Sequence, residues 1–274
     1  MGYLYWLIEM IICSNMERTK LVLSGGGTRG IYQIGALKAL HEKGFLENIS
    51  SISACSIGSI NAVLMSQYSL EDCKDIWMDM GLREVFRGID QFSSDYFFKI
   101  AQESFFSDGV DINPFINIFE SLIDEKIVRE SDWEIVFSLY NISQRRQEYA
   151  SVADIPDEKL LDYLIASCRL PFFKPLFING DKYLDGGVGD NNPYYSNLRD
   201  KHFDLIINIK IMYIPYYIPG IRKVNVGAKR ELLISPSSRI GNPIEFKSPS
   251  FQEKYDMGYK DALKAISNFE PRPT

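Results

Sequence analysis

Two short stretches of the 274-residue sequence carry residue types that do chemistry. The first is Ser24-Gly25-Gly26-Gly27-Thr28-Arg29-Gly30, between an apolar run (Lys20 to Ser24) and a helical stripe. Glycine lets the backbone take positive φ and lets a ligand approach the amides closely. At a helix N-terminus those amides point outward, and the helix dipole favours negative charge. Such a loop holds a phosphate or a reaction oxyanion equally well. Gly25, Gly27 and Gly30 also match the GxGxxG spacing of dinucleotide sites. That reading wants an acidic residue at the end of the second strand. The second strand here ends Ser53-Ala54-Cys55-Ser56, with no acid.

The second stretch is Ala54-Cys55-Ser56-Ile57-Gly58, which resembles GxSxG with Ala54 in place of the first glycine. A nucleophile elbow holds its serine on a sharp strand-to-helix turn, and small residues two positions to either side keep strand and helix from clashing. The plainer alternative is that Ser56, or Ser59, merely caps the helix that follows. Adjacent strand residues face opposite ways, so an outward Ser56 predicts a buried Cys55.

A serine hydroxyl needs a partner to take its proton. Histidine backed by a carboxylate is the usual one, but the chain holds only His41 and His202. His41 falls near the end of the first helix. His202 precedes the strand candidate Leu205 to Ile211, whereas sites in α/β sheets gather at carboxyl ends. Asp185, in Tyr183-Leu184-Asp185-Gly186-Gly187, follows a short strand and precedes two glycines. An ordinary aspartate, with a pKa of about 3.9, is a weak base. Burial would raise it. A turn aspartate before Gly-Gly is the competing reading.

The elements that must position these groups alternate. Lys20 to Ser24 reads as a buried strand, Ile31, Ile34, Leu37 and Leu40 as one helix face closed by Gly44, and Ile49 to Cys55 as a second strand. An apolar helix follows from Ile57. Such alternation predicts a mostly parallel sheet with helices on both faces. The middle, Leu70 to Glu130, is helical in pattern and rich in aromatics. Ile135 to Tyr140, Tyr149 to Ala153 and Lys182 to Leu184 read as further strands, and Phe251 to Ile266 as the last helix.

The bulk properties fit a single α/β domain over residues 19–274, preceded by an N-terminal extension over residues 1–18. Hydrophobic residues make up 46% and the formal net charge is −6, which argues against nucleic acid as a partner. Cys13, Cys55, Cys73 and Cys168 show no metal-ligand spacing and read as free thiols in a reducing compartment. The apolar run Tyr3 to Cys13 is too short to span a bilayer. It lacks signal-peptide features, and Trp6 stands where a myristoylation signal wants Ser or Thr. An interfacial anchor is the sharper alternative for it. Ile211 to Ile221, with three tyrosines and two prolines, suits either an acyl-chain or membrane contact or a buried edge.

Three segments taken together, KLVLSGGGTRGIYQIGALKAL, SISACSIGSINAVL and IASCRLPFFKPLFINGDKYLDGGVGDNNP, resemble the patatin-like phospholipases in sequence and in order. The likeness runs from about Lys20 to about Pro193, with a weaker echo from Met257 to Ile266. It implies a patatin-like fold and hydrolysis of acyl esters by a serine–aspartate dyad without histidine, metal or organic cofactor. Position by position, Ser56 is then the nucleophile and Asp185 the proton acceptor. Gly26, Gly27 and their neighbours Gly25, Thr28 and Gly30 form the oxyanion loop, and Arg29 fills its basic position. Ala54 and Gly58 flank the elbow, and Gly186 and Gly187 complete the Asp-Gly-Gly motif. The expected partner is a phospholipid or another acyl-ester lipid, met in the cytoplasm with peripheral membrane contact as an option. Two other readings stay open: a Ser56–Asp185–His202 triad, and a nucleotide-binding module without catalysis.

Overall fold

A computed structural model of the chain describes residues 18–80, 112–196, 202–211, 230–241 and 248–269, without the side chains of 114, 115 and 248–250. The N-terminal run, Cys13, the aromatics between residues 81 and 111, and most of the Ile211 to Ile221 segment lie outside them. The order begins β1 (Thr19–Leu23), α1 (Gly30–Glu42), β2 (Ile49–Cys55), α2 (Ile57–Met65) and α3 (Leu70–Asp79). It continues α4 (Asn113–Leu122), α5 (Glu125–Arg129), β3 (Glu134–Asn141), β4 (Arg146–Ser151) and α6 (Leu160–Ser167). It ends β5 (Leu176–Ile178), β6 (Asp181–Asp185), β7 (Leu205–Ile209), β8 (Arg230–Ile234) and α7 (Ser248–Ser267).

The eight strands form one mixed sheet. β8, β7, β1, β2 and β3 run parallel, while β4, β5 and β6 pair antiparallel. The mostly parallel α/β architecture expected from the alternation is therefore what the chain adopts. Leu21, Ile52 and Ile135 share one face, as do Leu23, Ala54 and Phe137. That face joins α1, α2, α6 and α7 in the main core. Behind it, Val22 packs with Phe203, Ile206 and Tyr194.

Local chemistry sets several boundaries. Ser69 accepts from the Asp72 amide while Asp72 accepts from the Ser69 amide, a capping box that starts α3. Gly44, at φ 73°, takes the left-handed turn that follows α1. α1 and α7 cross backbone to backbone. A Cβ on Gly35 would strike the Tyr255 carbonyl, and one on Gly258 the Tyr32 carbonyl. Tyr32 seals this crossing by donating its hydroxyl to Asp261 at 3.0 Å. Here lies the physical reason for the Met257 to Ile266 pattern.

The strand β3 brings distant residues together. Its residues Val136 to Ser138 pair with β4 on one edge and with β2 on the other. Leu139 to Asn141 also pair with β4, and on their free edge take β6. So β2 and β6 share one edge of β3 and run toward each other. Cys55 is level with Ser138, and Asp185 with Leu139, the next residue along. The carboxyl ends of two strands thus meet head to head.

Candidate active site

Ser56 stands at that meeting point, on the turn from β2 into α2. Its backbone has φ 53° and ψ −126°, and its side chain caps nothing in α2. The plain N-cap reading therefore fails: a capping serine has extended backbone and accepts from the first turn. Positive φ at a non-glycine residue costs about 1–3 kcal/mol and persists only where the surroundings impose it. Gly58 lets the turn close, since a Cβ there would enter the Leu23 carbonyl. Ala54 is fully buried in the core, and its methyl has not prevented the turn.

Ser167, at the end of α6, pins the elbow. Its hydroxyl accepts from the Ser56 amide at 3.1 Å and from the Ser59 hydroxyl at 2.9 Å, and donates to the Ser138 carbonyl at 3.0 Å. One hydroxyl therefore ties β2, α2, β3 and α6 together.

Asp185 ends β6 and is 3% exposed. Its Oδ1 accepts from the Gly187 amide at 2.7 Å and faces the Cys55 thiol at 3.7 Å. Its Oδ2 is buried and accepts no hydrogen bond from the described residues. Burial pushes the carboxyl up to about 6, partly offset by the Ser56 hydroxyl, the Gly187 amide and the Cys55 thiol. The Ser56 hydroxyl is thus near enough to the carboxylate to favour its charged form. Catalytic hydrogen bonds are often loose before a ligand closes the site. Cys55 and Cys168 are buried free thiols, and burial raises both well above the ordinary thiol value. Neither is a competing nucleophile, because only the thiolate attacks.

The glycine loop passes beside Ser56. A Cβ on Gly25 would meet the Ser56 Cβ at 3.0 Å. Gly25 donates its amide to the Asn191 carbonyl at 3.0 Å, and Asn191 Nδ2 donates back to the Gly25 carbonyl at 3.2 Å. Gly26 and Gly27 are half-buried, and their amides donate to no acceptor among the described residues. Thr28 is buried, and Gly30 leaves room for the Ile57 and Trp77 side chains. Arg29 turns away: its Nε and Nη2 donate to the Gly241 carbonyl at 3.2 and 2.9 Å. It clasps the loop to the chain beyond β8.

A buried polar chain holds the loop from behind. Trp77 Nε1 donates to Asn61 Oδ1 at 2.9 Å. Asn61 Nδ2 donates to the Gly30 carbonyl at 2.9 Å and to Gln33 Oε1 at 2.8 Å. Gln33 Nε2 donates to the Ser24 carbonyl at 2.8 Å. Asn61 and Gln33 are wholly buried. Asn61→Leu strands three of these partners, each costing about 1–3 kcal/mol. Urea denaturation of that variant is expected to show a loss of about 3 kcal/mol or more.

The two histidines stay apart from this cluster. His41 is exposed in the last turn of α1. His202 is exposed just before β7, whose Leu205 is level with Thr19 and Ile49 at the amino ends of β1 and β2. The length of β2, roughly 20 Å at 3.3 Å per residue, lies between that level and Ser56. A triad through His202 does not form. Of the residues singled out by sequence, Ser56, Asp185, Gly25, Gly26 and Gly27 come together. Ser167, Asn61, Gln33 and Asn191 were not singled out, and only their contacts mark them.

Known proteins resemble this chain in sequence and in fold. The family model described as patatin-like phospholipase matches residues 21–198. A protein of Invertebrate iridescent virus 6 named "Probable lipid hydrolase 463L" is 27% identical over 215 residues, covering 72% of this chain and 71% of that protein. Lysophospholipase nte1 of Aspergillus terreus is 32% identical over 177 residues, 62% of this chain but only 10% of the fungal protein. Among solved structures, VipD from Legionella pneumophila shares the fold, with a TM-score of 0.55 at 14% identity, covering 93% of this chain and 67% of that one. No helix among the described residues is long and apolar enough to cross a membrane. With a model match spanning more than half of its length, the chain belongs to the patatin-like phospholipase family.

Proposed function

We propose that this protein hydrolyses the carboxylic ester of a phospholipid, lysophospholipid or related acyl lipid through Ser56 and Asp185. The observation that carries the reading is the pairing of a strained, uncapped Ser56 with a buried carboxylate that keeps one oxygen free. A pKa near 6 makes that carboxylate a far better proton acceptor than an exposed aspartate, while leaving it ionised at neutral pH. Ser56 Oγ attacks the ester carbonyl carbon as its proton passes to Asp185. The carbonyl oxygen becomes an oxyanion facing the Gly26 and Gly27 amides, an interaction that contributes a large share of such catalysis. The tetrahedral adduct collapses, the carbon–oxygen ester bond breaks, and the departing alcohol takes the proton from Asp185. Water then attacks the acyl-Ser56 ester by the same route, and the fatty acid leaves.

In this scheme Arg29 supports the loop from its Gly241 clasp. The lysophospholipase name of the fungal relative and the lipid hydrolase name of the viral one support a lipid substrate. A fluorophosphonate probe tests the nucleophile. Wild-type protein is expected to gain the phosphonyl mass on the peptide containing Ser56, and Ser56→Ala to gain none. Unlabelled wild-type protein, inert toward a panel of phospholipids and lysophospholipids, would refute the reading.

A further inference from the structure

Beyond the site, β3, β4, β5 and β6 extend past the carboxyl end of β2 as an antiparallel overhang. The register sorts its side chains into two faces. Leu139, Asn141 and Tyr183 share one face, which α6 covers with Leu160 and Leu164. The opposite face holds Ser138 paired with Tyr149, and Tyr140 paired with both Gln147 and Leu184. It continues through Ile142, whose amide donates to the Lys182 carbonyl, to Lys182 paired with Phe177.

The Gly186 to Asp190 turn lies on this second face. A Cβ on Gly186 would enter the Ser138 carbonyl, and one on Gly189 would meet Gln147 and Tyr140. Tyr149 donates to Asp190 Oδ2 at 2.6 Å, fixing the far end of the turn. Val188 is its outward residue. Phe177 is 61% exposed, Val188 49%, Tyr149 42% and Ile142 38%. Seven large hydrophobic side chains are exposed among the described residues, and four of them lie on this one face and on the turn that follows Asp185. Scattered exposed apolar residues are ordinary, but a contiguous patch with a polar border marks a binding surface.

We infer that this open face of the overhang, carrying Phe177, Ile142, Val188 and Tyr149, is the surface by which the protein docks on an anionic lipid bilayer. The inference rests on the proposed lipid substrate and names the place where the substrate's own phase is met. The charge pattern selects the occupant. Lys182 lies in the row between Ile142 and Phe177, and Arg145 and Lys174 are exposed in the adjoining turns. Three carboxylates lie near the overhang: Glu148 pairs with Arg146, while Asp190 takes the Tyr149 hydroxyl and Asp181 the Asn141 amide and both keep their charge. Setting Arg145, Arg146, Lys174 and Lys182 against Glu148, Asp181 and Asp190, and leaving aside buried Asp185, this edge has one base in excess, whereas the whole chain has a net charge of −6. Apolar side chains entering the headgroup boundary beside lysines attracted to anionic headgroups is how peripheral proteins bind.

Vesicle sedimentation tests the docking. Phosphatidylcholine vesicles with phosphatidylglycerol are expected to retain wild-type protein, and pure phosphatidylcholine vesicles to retain less. The Ile142→Ser/Phe177→Ser double variant should lose roughly tenfold or more of its partitioning, the order expected for two apolar side chains kept in water. Lys182→Glu should lose roughly tenfold on the anionic vesicles alone. Both variants should hydrolyse a soluble short-chain ester at the wild-type rate and melt as wild type. Lys182→Glu keeps the test decisive if the double variant fails to fold. Unchanged vesicle partitioning of Lys182→Glu, and of the double variant where it folds, overturns the inference. So does a wild-type dimer that the double variant dissolves with no change in vesicle binding. Loss of the soluble-ester rate in wild type would strike the hydrolase reading alone, since partitioning is read without turnover.

Discussion

Ser56→Ala is expected to lower ester hydrolysis by about 10⁴-fold or more, the loss seen when a nucleophile is removed and only binding and oxyanion contacts remain. The fold should survive, because the Ser56 side chain caps nothing and only its amide bonds to Ser167. The measurement is a rate assay on a soluble ester beside a thermal melt. Ser56→Gly sharpens it. Both variants lack the hydroxyl, but only glycine takes φ 53° without strain. The strain is about 1–3 kcal/mol, and the entropic cost of glycine is about 0.5–1 kcal/mol. Ser56→Gly should therefore be the more stable of the two by about 1 kcal/mol. Equal activity of Ser56→Ala and wild type would remove Ser56 from the mechanism.

Asp185→Asn is expected to abolish turnover to a similar degree and to stabilise the protein above neutral pH. The carboxyl sits at 3.8 when exposed and at about 6 in the fold. Between those values the folded protein binds a proton that the unfolded chain has released. Stability therefore falls as pH rises through that window, and above about 6 the full cost of roughly 3 kcal/mol is in force. Asparagine keeps an acceptor for the Gly187 amide and carries no charge. Its stability gain should be largest at about pH 8 and should vanish below about pH 4. Paired melts at the two pH values check this. The same shift sets the rate profile. Wild-type kcat/KM should fall about tenfold per pH unit below about 6, as Asp185 takes up its proton. A flat acid limb would exclude Asp185 as the base.

What could be read from the chain was local. Lys20 to Ser24 and Ile49 to Cys55 lie within a residue of β1 and β2, because continuous apolar runs ending in glycine or a tight turn carry their own signal. The glycine loop and the elbow are contiguous in sequence and were legible as chemistry. β5 was not. Its three residues have no periodicity of their own and exist as a strand only by pairing with β6. β8 alternates too weakly over Arg230–Ile234 to stand out. Asp185 could be named from its motif, but its burial could not, since that depends on Arg169, Cys55 and Ser138 arriving from elsewhere. Ser167 is the plainest omission. A serine at a helix end is unremarkable until its partners from β2, α2 and β3 are in place. Arg29 lay in the right loop, but its clasp to Gly241 spans the chain and has no sequence trace.

The head-to-head meeting of β2 and β6 also orders events in time. Ser56 enters its elbow from residues that leave the ribosome early, whereas Asp185 must wait for β6 to dock on an already formed β3. Contacts that close such long loops form late in folding. A chain interrupted anywhere before residue 185 would carry the serine without its proposed base. On the proposed mechanism, the growing polypeptide therefore acquires its means of cutting an acyl ester only when its sheet is nearly whole.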